Sequence, residues 1–186
     1  ITAIAMGIIM MLFSIATGVG LQQKIREKVS AFHGDIIISN YDTNFSYDDQ
    51  KPIDLNQEFY LDKDYFPNIL HIQPTASKGG IIRTATDFEG VMLKGVAGDY
   101  NWDYIKEYLE EGVLPDFDAE ELTTDVLLST YLANRLKLKV GDRIATYFLR
   151  EDTNKPPRSV GFTIAGLYNS GFQEFDEQFV FADIRH

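Results

Sequence analysis

Three histidines (His33, His71, His186) and pairs of adjacent acids such as Asp48-Asp49, Glu110-Glu111 and Glu120-Glu121 are the residues whose types could do acid–base or metal chemistry. A metal centre or a nucleophilic triad needs such groups at spacings that bring them to one point, and none of the histidines has a second ligand or an orienting carboxylate at a useful spacing. His33 reads as a cation at the carbonyl end of a helix. Adjacent carboxylates read as a solvated face. The sequence has no cysteine, which excludes disulfides, thiolate metal sites and a Cys nucleophile. Gly18-Val19-Gly20 lacks the Lys-Ser/Thr ending that would put a charge on phosphate oxygens. No catalytic residue, metal ligand or cofactor site is therefore assigned, and a non-enzymatic role is expected.

The elements around these residues begin with Ile1 to Leu21 (ITAIAMGIIMMLFSIATGVGL), which contains no charged side chain. As a helix this stretch rises roughly 30 Å, the thickness of a bilayer's hydrocarbon. A buried core helix normally keeps one polar face, and a secretory signal has a shorter apolar core of about 7 to 15 residues. A membrane span fits better than either. The sequence opens on Ile1 without an initiator Met, so the expectation is a fragment that contains the last part of a span. Leu21, Ile25, Val29 and Phe32 continue one apolar stripe past the lipid while Gln22, Gln23, Lys24, Arg26 and Lys28 fill the other faces, and Gly34 supplies the stop.

Charge gives a mixed signal on orientation. Lys24, Arg26 and Lys28 argue mildly for a cytoplasmic side after the span. Against this stand Glu27 and the acidity of the chain beyond Gly34, since long acidic segments translocate largely regardless of charge. The chain has 28 acidic and 17 basic residues, a net charge of −11. Such a surface repels nucleic acid, so no nucleic-acid partner is expected. With 45% hydrophobic and 13% aromatic residues, there is enough apolar material for a folded core.

Beyond Gly34 the periodicity changes. Ile36 to Ile38 reads as a buried β-branched strand, 40 to 58 as a polar connection, and Leu61 to Phe66 as a helical turn closed by Pro67. Ile69 to Gln73, Lys78 to Thr84 and Val91 to Val96 read as strands of an antiparallel meander, with a turn at Asp87 to Gly90. A helix is expected from Trp102 to Glu111, ended by Gly112. Then come a strand at Val126 to Leu128, a helix capped by Ser129 or Thr130, strands at Arg143 to Leu149 and Val160 to Leu167, and a last strand at Phe179 to Ala182. The class is α+β: a membrane and stalk helix (1–33), then mostly strands (34–97), a helix-containing α/β stretch (98–170), and a final strand (171–186) that rejoins the first group.

In this order, FSIATGVGLQQKIREKV, EGVMLKGVAG (Glu89 to Gly98), LANRLKLKVGDRI (Leu132 to Ile144) and FTIAGLYNSGFQEFDEQFVFADI resemble segments of ABC-transporter permeases of the MacB, LolC, LolE and FtsX group. The lipoprotein-releasing permeases are the nearest branch. The resemblance implies a strand-rich porter-like periplasmic subdomain (34–97 and 171–186) with an inserted smaller α/β subdomain (98–170). It further implies an inner-membrane permease subunit, non-catalytic itself, that transmits the motion of a cytoplasmic ABC ATPase. Partners implied are that ATPase, a second permease subunit in a homo- or heterodimer, the membrane, and a periplasmic lipoprotein or carrier protein. The alternative is an FtsX-like regulator that recruits a periplasmic cell-wall hydrolase.

Two groups of residues are candidates for function on these grounds. Gly18 and Gly20 weaken the helix by about 1 kcal/mol each relative to Ala, and serve either as a hinge or as a close-packing surface for a neighbouring span. In the loop Arg150 to Ser159, Pro156 and Pro157 hold the backbone extended while Arg150, Lys155 and Arg158 put positive charge on an acidic domain. That loop reads either as a partner contact or as an ordinary hairpin end. In LolC-like members a hairpin near this position contacts the lipoprotein carrier; here the loop is shorter.

Overall fold

The computed structural model describes residues 2–41, 52–61, 66–118, 120–148 and 156–186. The chain divides into two compact units, Ile1–Ile38 and Ser39–His186.

The first unit is built on α1 (Thr2–His33), a helix of 32 residues and about 48 Å in length. Residues Thr2–Ser30 form a candidate membrane span, whose most apolar 18-residue stretch has a mean hydropathy of 2.2. The helix ends where Gly34 takes φ +77° and its amide donates to the Ser30 carbonyl at 2.7 Å. Only glycine adopts that left-handed conformation without a Cβ penalty. Ile36, Ile37 and Ile38, expected as a buried strand, instead lie 73%, 65% and 49% exposed with no strand pairing. β-branched residues favour a pleated surface only when a neighbouring strand and a core are there to receive them.

The second unit contains the single turn α2 (Glu58–Leu61); the turn expected at Leu61 to Phe66 falls on residues 62–65, which lie outside the described residues. Its body contains β1 (Thr75–Arg83), β2 (Phe88–Val96), α3 (Asp103–Lys106), β3 (Leu109–Gly112), β4 (Asp125–Ser129), α4 (Thr130–Leu136), β5 (Arg143–Phe148), β6 (Arg158–Tyr168), α5 (Gln173–Asp176) and β7 (Phe179–Asp183). The sheet has seven strands in the order β3-β6-β4-β7-β2-β1-β5, and β6 pairs also with β5. All strands except β3 therefore close into a ring, which removes most exposed ladder edges. The long β6 makes this possible, pairing with β5 through Arg158 to Thr163 and with β4 and β3 through its second half. The architecture is α+β, and strands from 34–97, from 98–170 and from 171–186 all share the one sheet.

The β1–β2 hairpin is antiparallel from Thr75↔Val96 to Arg83↔Phe88. Its turn lies at Thr84 to Asp87 rather than at Asp87 to Gly90, because the Thr84 amide donates to the Asp87 carbonyl (2.9 Å) and the Thr84 hydroxyl accepts from the Asp87 amide (3.0 Å). β7 joins β2 in parallel, Lys94 opposite Phe181. Ile69 to Gln73 forms no strand; side chains tie it down instead, His71 Nε2 donating to the Asp99 carbonyl (2.8 Å) and Gln73 Oε1 accepting from the Asn101 amide (2.9 Å).

The expected helix over 102–111 survives only as α3. Leu109 to Gly112 pairs with the free half-edge of β6, Leu109↔Tyr168 and Gly112↔Gly166, with a bulge between Leu109 and Glu111. Gly112 has φ +78° and lies against the backbone of Ala165 and Gly166, where no Cβ would fit. Strand pairing at that edge outweighs the weak helical spacing of the sequence.

Two apolar layers flank the sheet. On the inner side Ile82, Val91, Leu93, Val126, Leu128, Ile144, Phe162, Ile164 and Val180 pack with Leu132, Ala133 and Leu136 of α4. On the other side lie Val96, Leu127, Phe181 and Tyr168, all fully buried beside Tyr100, Ile105 and Phe117 of the 97–118 segment. Ser129 caps α4, its hydroxyl accepting from the Leu132 amide (3.1 Å) and donating to the Asp176 carbonyl. One hydroxyl thus fastens α4 to α5.

Candidate functional site

Each histidine has its own local setting. His33 ends α1, His71 bonds to Asp99, and His186 donates to the Thr123 carbonyl (2.8 Å) and meets the Phe162 ring edge-on at 5.0 Å. Among the described residues no three His, Cys, Asp or Glu side chains gather in a way that could hold a metal ion. Of the acid pairs, Asp48-Asp49 lies outside the described residues. Glu110 accepts from the Thr130 hydroxyl (2.7 Å) and the Asn169 amide (2.9 Å), and these bonds hold its carboxyl below the ordinary range. Glu120 and Glu121 offer backbone carbonyls to Arg185, whose guanidinium also forks onto Asp183 (2.6 Å). These are fastenings of one element to another.

Gly18 and Gly20 lie on α1, which passes through both without a break, and nothing stands within 4 Å of where either Cβ would be. Of the loop residues, Pro156, Pro157 and Arg158 are exposed, Arg158 pairing with Phe148 at the first position of β6; Arg150 and Lys155 lie outside the described residues.

A cluster that the sequence reading missed lies on the sheet under the 97–118 segment. Lys94 is 7% exposed, and its amine sits 5.7 Å from the Tyr100 ring centroid and 6.0 Å from that of Phe181. Trp102 completes the cluster, with ring centroids 4.9 Å from Tyr100, 5.7 Å from Phe181 and 5.8 Å from Phe117. Burial pushes the Lys94 amine down to about 8 and the Tyr100 hydroxyl well above its usual range. A charged amine in largely apolar surroundings gives up most of its water and gains the weaker attraction of ring faces in part exchange. The signal was present in Val91-Met92-Leu93-Lys94-Gly95-Val96: a strand apolar on both faces is buried on both, so its one lysine is buried too.

A span, a glycine-stopped helix and a ring-closed sheet with parallel and antiparallel pairs narrow the architecture, and comparison of the sequence decides among relatives. The model of the MacB-like periplasmic core domain matches residues 1–185. The chain belongs to that family. MacB-like domains are parts of ABC-transporter permeases, so this is a membrane-protein family and α1 is its apolar N-terminal helix. The fold is similar to the extracellular domain of YknZ, a noncanonical ABC-type transporter of Gram-positive bacteria (16% identity, TM-score 0.43, covering 61% of this chain and 54% of that one). It is also similar to the periplasmic region of MacB from Actinobacillus actinomycetemcomitans (18% identity, TM-score 0.41, covering 60% and 47%). The matches thus span about half the length of those structures. Comparison with curated protein sequences finds no match.

Proposed function

We propose that this MacB-like chain is part of the permease subunit of an ABC transporter, whose folded body faces the periplasm and converts motion driven by a cytoplasmic ATPase into the extraction or release of a lipoprotein or related amphiphile. The observation that carries the reading is the match of one family to span and folded body together, over residues 1–185. The helix provides the physical means. Its hydrogen bonds make it stiff over its length, so a tilt imposed on the lipid-embedded part displaces the other end. The ATPase is a separate protein in this reading, the permease pairs with a second permease subunit, and the membrane is the bacterial inner membrane.

Depleting the protein or its ATPase is expected to strand mature lipoproteins in the inner membrane, read by membrane fractionation. Normal lipoprotein sorting in such cells would remove the lipoprotein substrate and leave family membership untouched. Gly18 and Gly20 serve, in the same reading, as a close-packing surface. Gly→Ala at both positions should then preserve transport while Gly→Leu abolishes subunit assembly in cross-linking; loss of transport with Ala would favour a hinge. For the loop, Arg150→Glu with Arg158→Glu is expected to weaken capture of the periplasmic partner, and unaltered transport by that variant would dismiss the contact.

A further inference from the structure

The segment Ala97 to Glu107 crosses the outer face of β2 and β7 with little regular structure of its own. Its hydrogen bonds are mostly local: Tyr100 amide to Ala97 carbonyl (3.1 Å), Asp103 amide to Asn101 Oδ1 (2.9 Å), Lys106 amide to Trp102 carbonyl (2.8 Å) and, onto the Ile105 carbonyl, the Tyr108 amide (2.9 Å), besides the two tethers from His71 and Gln73. What presses it to the sheet is the ring contacts of Tyr100 and Trp102 and the fully buried Ile105. Directly beneath it lies Lys94. Among the described residues the Lys94 amine has neither an ion-pair partner nor a hydrogen bond, on a chain of net charge −11.

The groups that face Lys94 offer no compensation. From β1 the opposite residue is Ser77, and from β7 it is Phe181. Asp183, two positions along β7, is engaged by Arg185. Tyr168, from β6, donates its hydroxyl to the Phe179 carbonyl (2.9 Å), and burial keeps its phenol, like that of Tyr100, neutral. No acid therefore reaches the amine from any neighbouring element within the described residues.

We infer that residues 97–107 form a strap spring-loaded by Lys94: the closed strap leaves a largely buried ammonium without a counter-charge, and lifting the strap lets that ammonium recover its full hydration. Opening is thus favoured whenever Lys94 is protonated, and neutralising or removing the amine locks the strap shut. The difference between an open amine near 10.5 and a closed one near 8 makes the opening constant fall roughly tenfold per pH unit across that interval, about 300-fold in all. In a protein whose body must yield to an imposed motion, this gives one face of the sheet a segment that releases before the sheet does.

The test uses the full chain in detergent micelles. In amide hydrogen exchange at pH 7, the Tyr100 and Lys106 amides should exchange at least about tenfold faster than the Leu93 and Val180 amides. Lys94→Met should slow the strap amides by up to about 300-fold. Equal rates for strap and sheet in the wild type, or strap rates unaltered by Lys94→Met, would overturn the inference. Trp102, the sole tryptophan, supplies a reading that needs no variant. Its quenching by acrylamide should decline as pH rises from 7 to 10.5, and a flat profile counts against the strap even if Lys94→Met fails to fold.

Discussion

At the scale of single residues, Lys94 couples the fold to pH with a sign that its environment dictates. Its amine is lowered from 10.5 to about 8 in the folded protein because burial disfavours the charged form. Between those values the unfolded chain binds more protons than the folded one, so stability rises with pH across the window. The penalty is fully present below about 8 and gone above about 10.5, a total of about 3 kcal/mol. Chemical denaturation at pH 7.5 and pH 10.5 should show this rise in the wild type and not in Lys94→Met; parallel pH profiles would refute it. Thr146 makes a complementary case. Its hydroxyl is buried with no hydrogen-bond partner among the described residues, while its methyl packs where a Cβ on Gly80 would come within 3.0 Å. Thr146→Val keeps the shape and removes the orphaned hydroxyl, so a gain of about 1 kcal/mol in denaturant midpoint analysis is expected.

At the scale of elements, α4 shows how local rules and packing agree. Ser129 caps its start, and its end closes with Lys137 at φ 57° while the Leu138 amide reaches back to the Ala133 carbonyl at 2.8 Å. A lysine in that left-handed position bears a Cβ strain that glycine lacks. Lys137→Gly should therefore raise the melting temperature, equivalent to as much as about 1 kcal/mol, and a fall would show that the lysine side chain contributes more than its backbone costs. The α4 boundaries were legible because cap, apolar stripe and stop coincide in Ser129 to Leu138. The α3–β3 region was misread for the opposite reason. Trp102, Ile105, Tyr108 and Leu109 do follow a helical spacing, yet Leu109 to Gly112 had a stronger claim from the unpaired half of β6, a partner far later in the chain.

At the scale of the whole molecule, the chain combines a candidate membrane span with an acidic folded body, and the two make different demands on solvent. The helix is apolar on every face from Thr2 to Leu21 and exposed along that stretch, with no acidic residue before Glu27, so it is stable in water only at a large hydrophobic cost. The full chain is expected to remain in the membrane pellet after alkaline carbonate extraction. Leu12→Arg with Ile15→Arg, each costing about 2.5 to 3.5 kcal/mol at a span centre, should move a large share into the supernatant. Extraction of the unaltered chain would mean that α1 does not cross lipid.

The sequence by itself determined the long apolar helix, its glycine stop, β1, β2, β4 to β7 and α4, because each is set by contacts or periodicities within about ten residues. It was enough as well to identify the family resemblance. Tertiary structure alone decided that Ile36 to Ile38 stays unpaired, that β3 replaces half a helix, that the strands close into a ring, and that Lys94 is buried against Tyr100 and Phe181. Those outcomes depend on which distant strand edge or ring face is left free once the rest has folded, and that information lies in no local stretch of residues.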